Sequence, residues 1–301
     1  SACSGHGTAT AQAWAWFHSA EAAARLSLRL AWDSRTCVRG FGPARQGRDI
    51  MPTTAETVRD ALLAARREGS LIETASLPVP PSLADGLAIA RAVNRGAGFE
   101  DRGWKVGIAE DGTPIAGLMP GPWLAPGDVY EGATGAEIRF EIELGLRLAR
   151  EVPLRPGQPW SRAELLACCD RAFLGIEIVE SRLANWAGAV AMPLWLADAM
   201  GHGGYFVGPD LDIGVLDDVT GLGCFISLNG VAIYDQPAVH GNGDPMTPFL
   251  AWANRQEEGL GPLRAGQLVT TGSLCGGVLS PGKGDVVAKL NPLASVAFTL
   301  R

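Results

Sequence analysis

Four things are missing from this sequence: clustered basic residues, cysteines at metal-knuckle spacing, any apolar run long enough to span a membrane, and a glycine-rich loop between a strand and a helix. The first absence excludes a nucleic-acid surface, because neutralising phosphates takes grouped Lys and Arg, whereas this chain has 25 Lys and Arg against 32 Asp and Glu, a net charge of −7. The second excludes a zinc knuckle; the six cysteines are scattered apart from Cys168 and Cys169, and adjacent cysteines rarely bond to each other, so reduced thiols in a cytoplasmic protein are the expectation. The third, with no basic-then-apolar leader pattern, removes a membrane partner. The fourth removes the dinucleotide and nucleoside-phosphate folds.

What is present is a hydrophobic fraction of 47% with 39 Gly and 20 Pro, the texture of a turn-rich globular protein. Residues 1–50 mix Trp14, Trp16 and Trp32 with small residues and are expected to be an N-terminal extension outside the fold. A domain is expected to begin near Met51, where Thr53 to Glu56 has capping-box form, apolar positions follow at Val58, Leu62 and Leu63, and Gly69 supplies a stop. A second helix is predicted over Leu83 to Val93. Residues 51–100 thus read as a helical N-terminal part and 101–301 as a strand-rich domain.

From Gly103 onward strand patterns dominate, with Asn229-Gly230 as a hairpin turn between Cys224 to Leu228 and Val231 to Tyr234. Helices are predicted at Arg162 to Cys169, opened by a Ser161–Glu164 capping box, and at Pro248 to Glu258. Many strands with irregularly placed helices give an α+β class.

The run Glu137-Ile-Arg-Phe-Glu-Ile-Glu-Leu carries the chemistry. Read as a strand, it puts Ile138, Phe140, Ile142 and Leu144 on one face and Arg139, Glu141 and Glu143 on the other. Two carboxylates side by side repel unless a hard cation bridges them or a base compensates them. Glu177, inside the apolar Gly175-Ile-Glu-Ile-Val, is a third acid that needs a partner, and three oxygen ligands suit magnesium or manganese. Lys105, in Gly-Trp-Lys-Val-Gly, is an amine among apolar neighbours, placed either to meet a substrate carboxylate and move protons or to extend to solvent.

From about Met51 onward the chain resembles the fumarylacetoacetate hydrolase superfamily, in its 2-oxopent-4-enoate hydratase and oxalocrotonate decarboxylase branch. The resemblance rests on Gly103-Trp-Lys-Val-Gly, Phe140-Glu-Ile-Glu-Leu, Ile176-Glu-Ile-Val-Glu-Ser-Arg, Leu196-Ala-Asp, Ala251-Trp-Ala-Asn, Leu263-Arg-Ala-Gly-Gln-Leu-Val-Thr-Thr-Gly-Ser and Pro281-Gly-Lys-Gly-Asp, in that order. It implies a mixed β-sheet roll with a small helical N-terminal part, a homo-oligomer, and a small 2-oxo acid substrate. It further implies Mg (or Mn) held by Glu141, Glu143 and Glu177, Lys105 as the active-site lysine, and Thr271, Gly272 and Ser273 lining the substrate pocket. The implied chemistry is a hydro-lyase reaction through a metal-stabilised enolate; 2-oxo-3-enedioate decarboxylation, acylpyruvate-type C–C hydrolysis and a non-catalytic metal cage are the alternatives. No His-x-x-Glu pair follows Met51 to serve the hydrolase reading.

Two stretches depart from the family pattern. The loop that carries an acidic pair in close hydratases reads Gly117-Leu-Met-Pro-Gly-Pro-Trp, and an Ala-Asp-Asn-Ala-Ser pattern reads Ala197-Asp-Ala-Met-Gly. His202, directly after the second departure, is the candidate to supply a missing acid or base, against a plain loop histidine. His240 reads as a turn residue, Arg182 as an ion-pair or orienting residue, and Asp198 as a helix-end residue or a partner to the site.

Overall fold

The computed structural model describes residues 53–109, 111–133, 135–184, 190–255 and 263–301. The 1–50 extension therefore lies outside the described residues, as does the predicted end of the last helix at Glu258. In chain order the helices are α1 (Thr54–Glu68), α2 (Leu83–Gly96), α3 (Arg162–Leu166), α4 (Met192–Ala197) and α5 (Met246–Ala253). The first eight strands are β1 (Ile72–Glu73), β2 (Gly103–Ile108), β3 (Pro114–Leu118), β4 (Trp123–Leu124), β5 (Val129–Tyr130), β6 (Ile138–Leu148), β7 (Cys169–Glu180) and β8 (Leu183–Ala184). They are followed by β9 (His202–Leu211), β10 (Gly223–Leu228), β11 (Val231–Pro237), β12 (Leu268–Ser273), β13 (Val278–Leu279), β14 (Gly284–Asn291) and β15 (Ala294–Leu300).

The main sheet runs β3-β2-β12-β6-β7-β9-β4, with β13 pairing on β6 beyond the end of β12. A second sheet runs β11-β10-β14-β15-β5, and β1 pairs with β8. The alternation read in the sequence decides how the two sheets meet. Phe140 on β6 and Phe206 on β9 both pack on Phe298 of β15, with ring centroids 5.7 Å and 4.1 Å apart respectively. Ile142, Leu144, Ile176 and Ile178 join that same core, so the apolar face of β6 and β7 is sandwiched and its acidic face looks the other way.

Both predicted capping boxes form, at Thr53–Glu56 and Ser161–Glu164, and α1 stops at Gly69 in the left-handed conformation, φ 63°. Asn229 and Gly230 take φ 51° and 78°, as a two-residue hairpin turn between β10 and β11 requires. The helix predicted to reach Cys169 ends instead at Leu166, because the Cys168 carbonyl accepts the amides of Ala149 and Arg150 and the chain turns into β7. Helix α5 starts two residues before Pro248, and Asn254, at its end, bonds the backbone of Trp160 with both ends of its amide, at 2.6 Å and 3.1 Å. The strand β3 and the helix α4 were not anticipated.

Helices α1, α2 and α4 share a small core of Val58, Leu62, Ile89, Val93, Leu194 and Ala197. Among the described residues no helix is long and apolar enough to cross a membrane.

Candidate metal centre

Strand register assembles the acidic face. Glu141 pairs directly across from Glu177, which pairs in turn with Tyr205, making one row over β6, β7 and β9. The next row is Glu143, Gly175 and Val207, and the one after places Gly145 beside Thr270 and Lys105. One oxygen from each of Glu141, Glu143 and Glu177 lies within 4.8 Å of the other two. Glu143 is 1% exposed and Glu177 fully buried.

Glycine creates the space for this cluster. A Cβ at Gly175 would sit 1.8 Å from the Tyr205 hydroxyl oxygen, and one at Gly145 2.3 Å from the Phe173 ring. The two aromatics fold across the sheet only because these positions lack side chains. Together with Met119, Trp123 and Leu268 they wall one side of the acidic cluster.

Lys105 and His202 both approach the same oxygen, Glu177 Oε1. The Lys105 Nζ donates to it at 2.5 Å and also to the Met200 carbonyl at 3.3 Å, while His202 Nδ1 lies 3.1 Å away. Lys105 is therefore buried in the site and does not extend to solvent. His202 is no loop residue; it opens β9, is fully buried, and leaves its Nε2 without a partner. With Nδ1 facing a carboxylate, the proton belongs on Nδ1 and Nε2 keeps its lone pair.

The charges explain what the site can hold. Burial and then repulsion by Glu177 push the Glu141 carboxyl up to about 7. The same causes, with Glu141 added, push Glu143 well above the usual carboxylate range. Burial acts on Glu177 in the same direction, but Lys105 and His202 outweigh it and hold Glu177 below its ordinary value. Burial would lower Lys105, yet the three glutamates together raise it, so it stays charged. His202 is lowered by burial and is neutral at pH 7.

Glu143 Oε2 and Glu177 Oε2 are buried with no hydrogen-bond partner. Two orphaned carboxylate oxygens in a three-acid cluster are costly unless a cation or protons meet them. The all-oxygen donor set fits a hard divalent cation such as magnesium or manganese.

The Thr271–Ser273 turn, expected to line the substrate pocket, is held by hydrogen bonds to backbone. The Thr271 hydroxyl donates to the Leu144 carbonyl at 3.1 Å, and the Ser273 hydroxyl donates to the Gly276 carbonyl at 3.0 Å while accepting from the Cys275 amide. Both side chains are committed to backbone, and Gly272, at φ 110°, breaks the register of β12 between Thr270 and Ser273. His240 is more than a turn residue. It is 5% exposed, its Nδ1 accepts from Asn242 N at 3.2 Å, and its Nε2 therefore donates to the Thr271 carbonyl at 2.9 Å.

The two stretches that depart from the family pattern meet beside Lys105. The Met200 sulfur packs on Gly117, where a Cβ would come within 2.9 Å of it. Ala199 and Met200 both adopt φ 53°, the left-handed region that costs an ordinary residue about 1–2 kcal/mol. The buried Asp198 next to them holds the turn. It accepts from the Ser181 hydroxyl at 2.8 Å and from Arg182 Nε at 2.6 Å, and Arg182 donates onward to the carbonyls of Glu180 and His202. Arg182 and Asp198 thus position the segment that carries His202 and the Met200 carbonyl. Their spacing of 16 residues offered no local pattern from which to read that pairing.

Compared with solved structures, the chain matches 4-oxalocrotonate decarboxylase from Pseudomonas putida G7, complexed with magnesium and adipate, with a TM-score of 0.66 and 19% identity over 82% of this chain and 96% of that one. The chain has the fold of that decarboxylase. The same decarboxylase complexed with calcium and acetate matches with a TM-score of 0.64, 18% identity and the same coverage of both chains. A putative fumarylacetoacetate hydrolase family protein from Yersinia pestis CO92 matches with a TM-score of 0.48 and 16% identity over 67% of this chain and 94% of that one. Neither a family model nor a curated protein sequence matches the chain.

Proposed function

We propose that the protein is a divalent-metal-dependent lyase acting on small 2-oxo-alkenoates, with a hydro-lyase of the 2-oxopent-4-enoate type as the first reading. The observation that carries it is the convergence of Glu141, Glu143 and Glu177 within 4.8 Å, with Lys105 and His202 on one oxygen of Glu177. Glu141, Glu143 and Glu177 would hold magnesium or manganese. A cation there would supply a Lewis acid for a 2-oxo acid substrate and would stabilise negative charge as it develops.

The chain's own groups supply the rest. The Lys105 ammonium, kept charged by three glutamates, attracts the substrate carboxylate and can donate a proton from Nζ. The neutral His202, its Nδ1 fixed on Glu177, can accept a proton at Nε2 from water that adds to the alkene. The Thr271–Ser273 segment, kinked at Gly272, would line the pocket, with hydroxyls that donate to backbone carbonyls and can still accept. The wall of Tyr205, Phe173 and Trp123 excludes bulk water from that side.

Decarboxylation of a 2-oxo-3-enedioate is the second reading, favoured by the match to 4-oxalocrotonate decarboxylase over 96% of its length. The test follows the ultraviolet absorbance of 2-hydroxypenta-2,4-dienoate with and without magnesium, and in parallel carbon dioxide release from 2-oxohex-3-enedioate. Magnesium-dependent loss of the dienoate, abolished by Glu141→Gln, is the expected result. Gas release without hydration would select the second reading, and metal-independent or absent turnover of both substrates would overturn the lyase assignment.

A further inference from the structure

A second cavity, of about 720 Å³, lies between the C-terminal half of α1 and the ends of β5 and β7. None of the three clustered glutamates lines it. The exposed Arg67, Glu68, Ser70 and Glu131 line its outer part, Leu63 and Leu124 contribute apolar wall, and its inner polar groups are Arg66, Tyr130, Glu180, Ser181 and Arg182.

All but one of these inner polar groups are satisfied by the protein. Glu180 accepts from the Tyr130 hydroxyl at 2.5 Å and from Ala133 N at 2.6 Å, which occupies both of its oxygens. Arg182 is bound to Asp198 and to three backbone carbonyls. Arg66 is the exception, for its Nε is buried and nothing among the described residues accepts from it. Burial, with the like charge of Arg182 adding to it, pushes the Arg66 guanidinium down to about 9. A guanidinium carries five N–H donors in a planar fork, and a half-buried one that no described residue pairs, beside a second guanidinium, lacks what that fork normally binds, an anion.

We propose that this cavity is a binding site for a small organic carboxylate, which docks its carboxylate on the Arg66 fork and its hydrocarbon body on Leu63 and Leu124. An anion there takes charge-assisted hydrogen bonds from the terminal nitrogens of Arg66, and it relieves the repulsion between Arg66 and Arg182. The apolar wall selects an organic acid over inorganic phosphate, since phosphate has no surface to bury against it. The site needs no metal and is independent of the lyase reading.

The test is isothermal titration of the full chain, treated with a chelator, with sodium hexanoate at fixed ionic strength, and with inorganic phosphate as a second probe. One hexanoate per chain is expected, with phosphate weaker. Arg66→Met should weaken hexanoate tenfold or more. Arg66→Lys, which keeps the charge but loses the fork, should weaken it severalfold and provides the answer if the Met variant fails to fold by thermal melting. Glu141→Gln should leave hexanoate binding unchanged. Hexanoate binding that survives both Arg66 variants, or that disappears in Glu141→Gln, overturns the site, as does the absence of heat at millimolar hexanoate. Phosphate binding as tightly as hexanoate overturns the organic-acid class.

Discussion

Replacing Glu141 by Gln should make the metal-free protein more stable while removing its response to magnesium. The cause is the upward shift of the Glu141 carboxyl to about 7 from an ordinary 4.5. A group whose folded pKa is raised favours folding only while protonated, so relative to low pH the folded state loses stability as pH rises from about 4.5 through about 7. At about 1.4 kcal/mol per unit the full penalty is on the order of 3 kcal/mol at pH 8, and below about 1 kcal/mol at pH 5. Gln has nearly the same shape and no charge, so it escapes that penalty. For a domain of this size the gain at pH 8 corresponds to a Tm rise of about 6–12 °C, shrinking to about 2 °C at pH 5. Magnesium should then raise the Tm of the wild type at pH 8 and leave that of Glu141→Gln nearly unmoved. Calorimetry of both proteins at the two pH values, with chelator and with magnesium, reads all four quantities. A variant less stable than wild type at pH 8 in chelator, or one stabilised by magnesium as strongly as wild type, would refute the claim that three mutually repelling carboxylates await a cation.

Lys105→Met removes the cation bonded to Glu177 and should destabilise the metal-free protein by about 3–5 kcal/mol in denaturant titration, because a buried carboxylate is left uncompensated. His240→Gln, which can keep one hydrogen bond to the Thr271 carbonyl, should retain kcat and raise KM in the dienoate assay less than His240→Ala does, since His240 acts by holding the pocket turn. Gly175→Ala should abolish magnesium-dependent stabilisation or prevent folding, as its Cβ would lie 1.8 Å from the Tyr205 hydroxyl oxygen beside Glu143; thermal melts with magnesium check it.

Much of this architecture is legible in local sequence, for reasons that differ by element. Period-two alternation put Glu141 and Glu143 on one side of a strand and its apolar partners on the other, and the sheet keeps that division because the apolar side is sandwiched against Phe298. Capping boxes and the Asn-Gly turn were readable because each is satisfied within four residues. The partners of Glu177 were not readable in that way. Lys105 arrives 72 residues away across β12 and β6, and His202 25 residues away through the left-handed turn at Ala199 and Met200, so only tertiary register brings them to one oxygen. The backbone acceptors of Thr271 and Ser273, the Leu144 and Gly276 carbonyls, likewise emerge only from the fold.

Glu177 joins the two halves of the site. Its Oε1 receives Lys105 and His202, its Oε2 is buried and unpartnered, and one of its oxygens lies within 4.8 Å of oxygens of the other two glutamates. One carboxylate can therefore give an oxygen to a cation while keeping the ammonium and the imidazole in fixed orientation. The consequence would be a coupling: a cation held by the cluster would draw negative charge from Glu177, weaken its hold on the Lys105 ammonium, and leave that proton easier to donate. On the proposed lyase reading, proton transfer from Lys105 would then be favoured when the acidic cluster is filled, and Glu177 would link the chemistry to the binding of the cation.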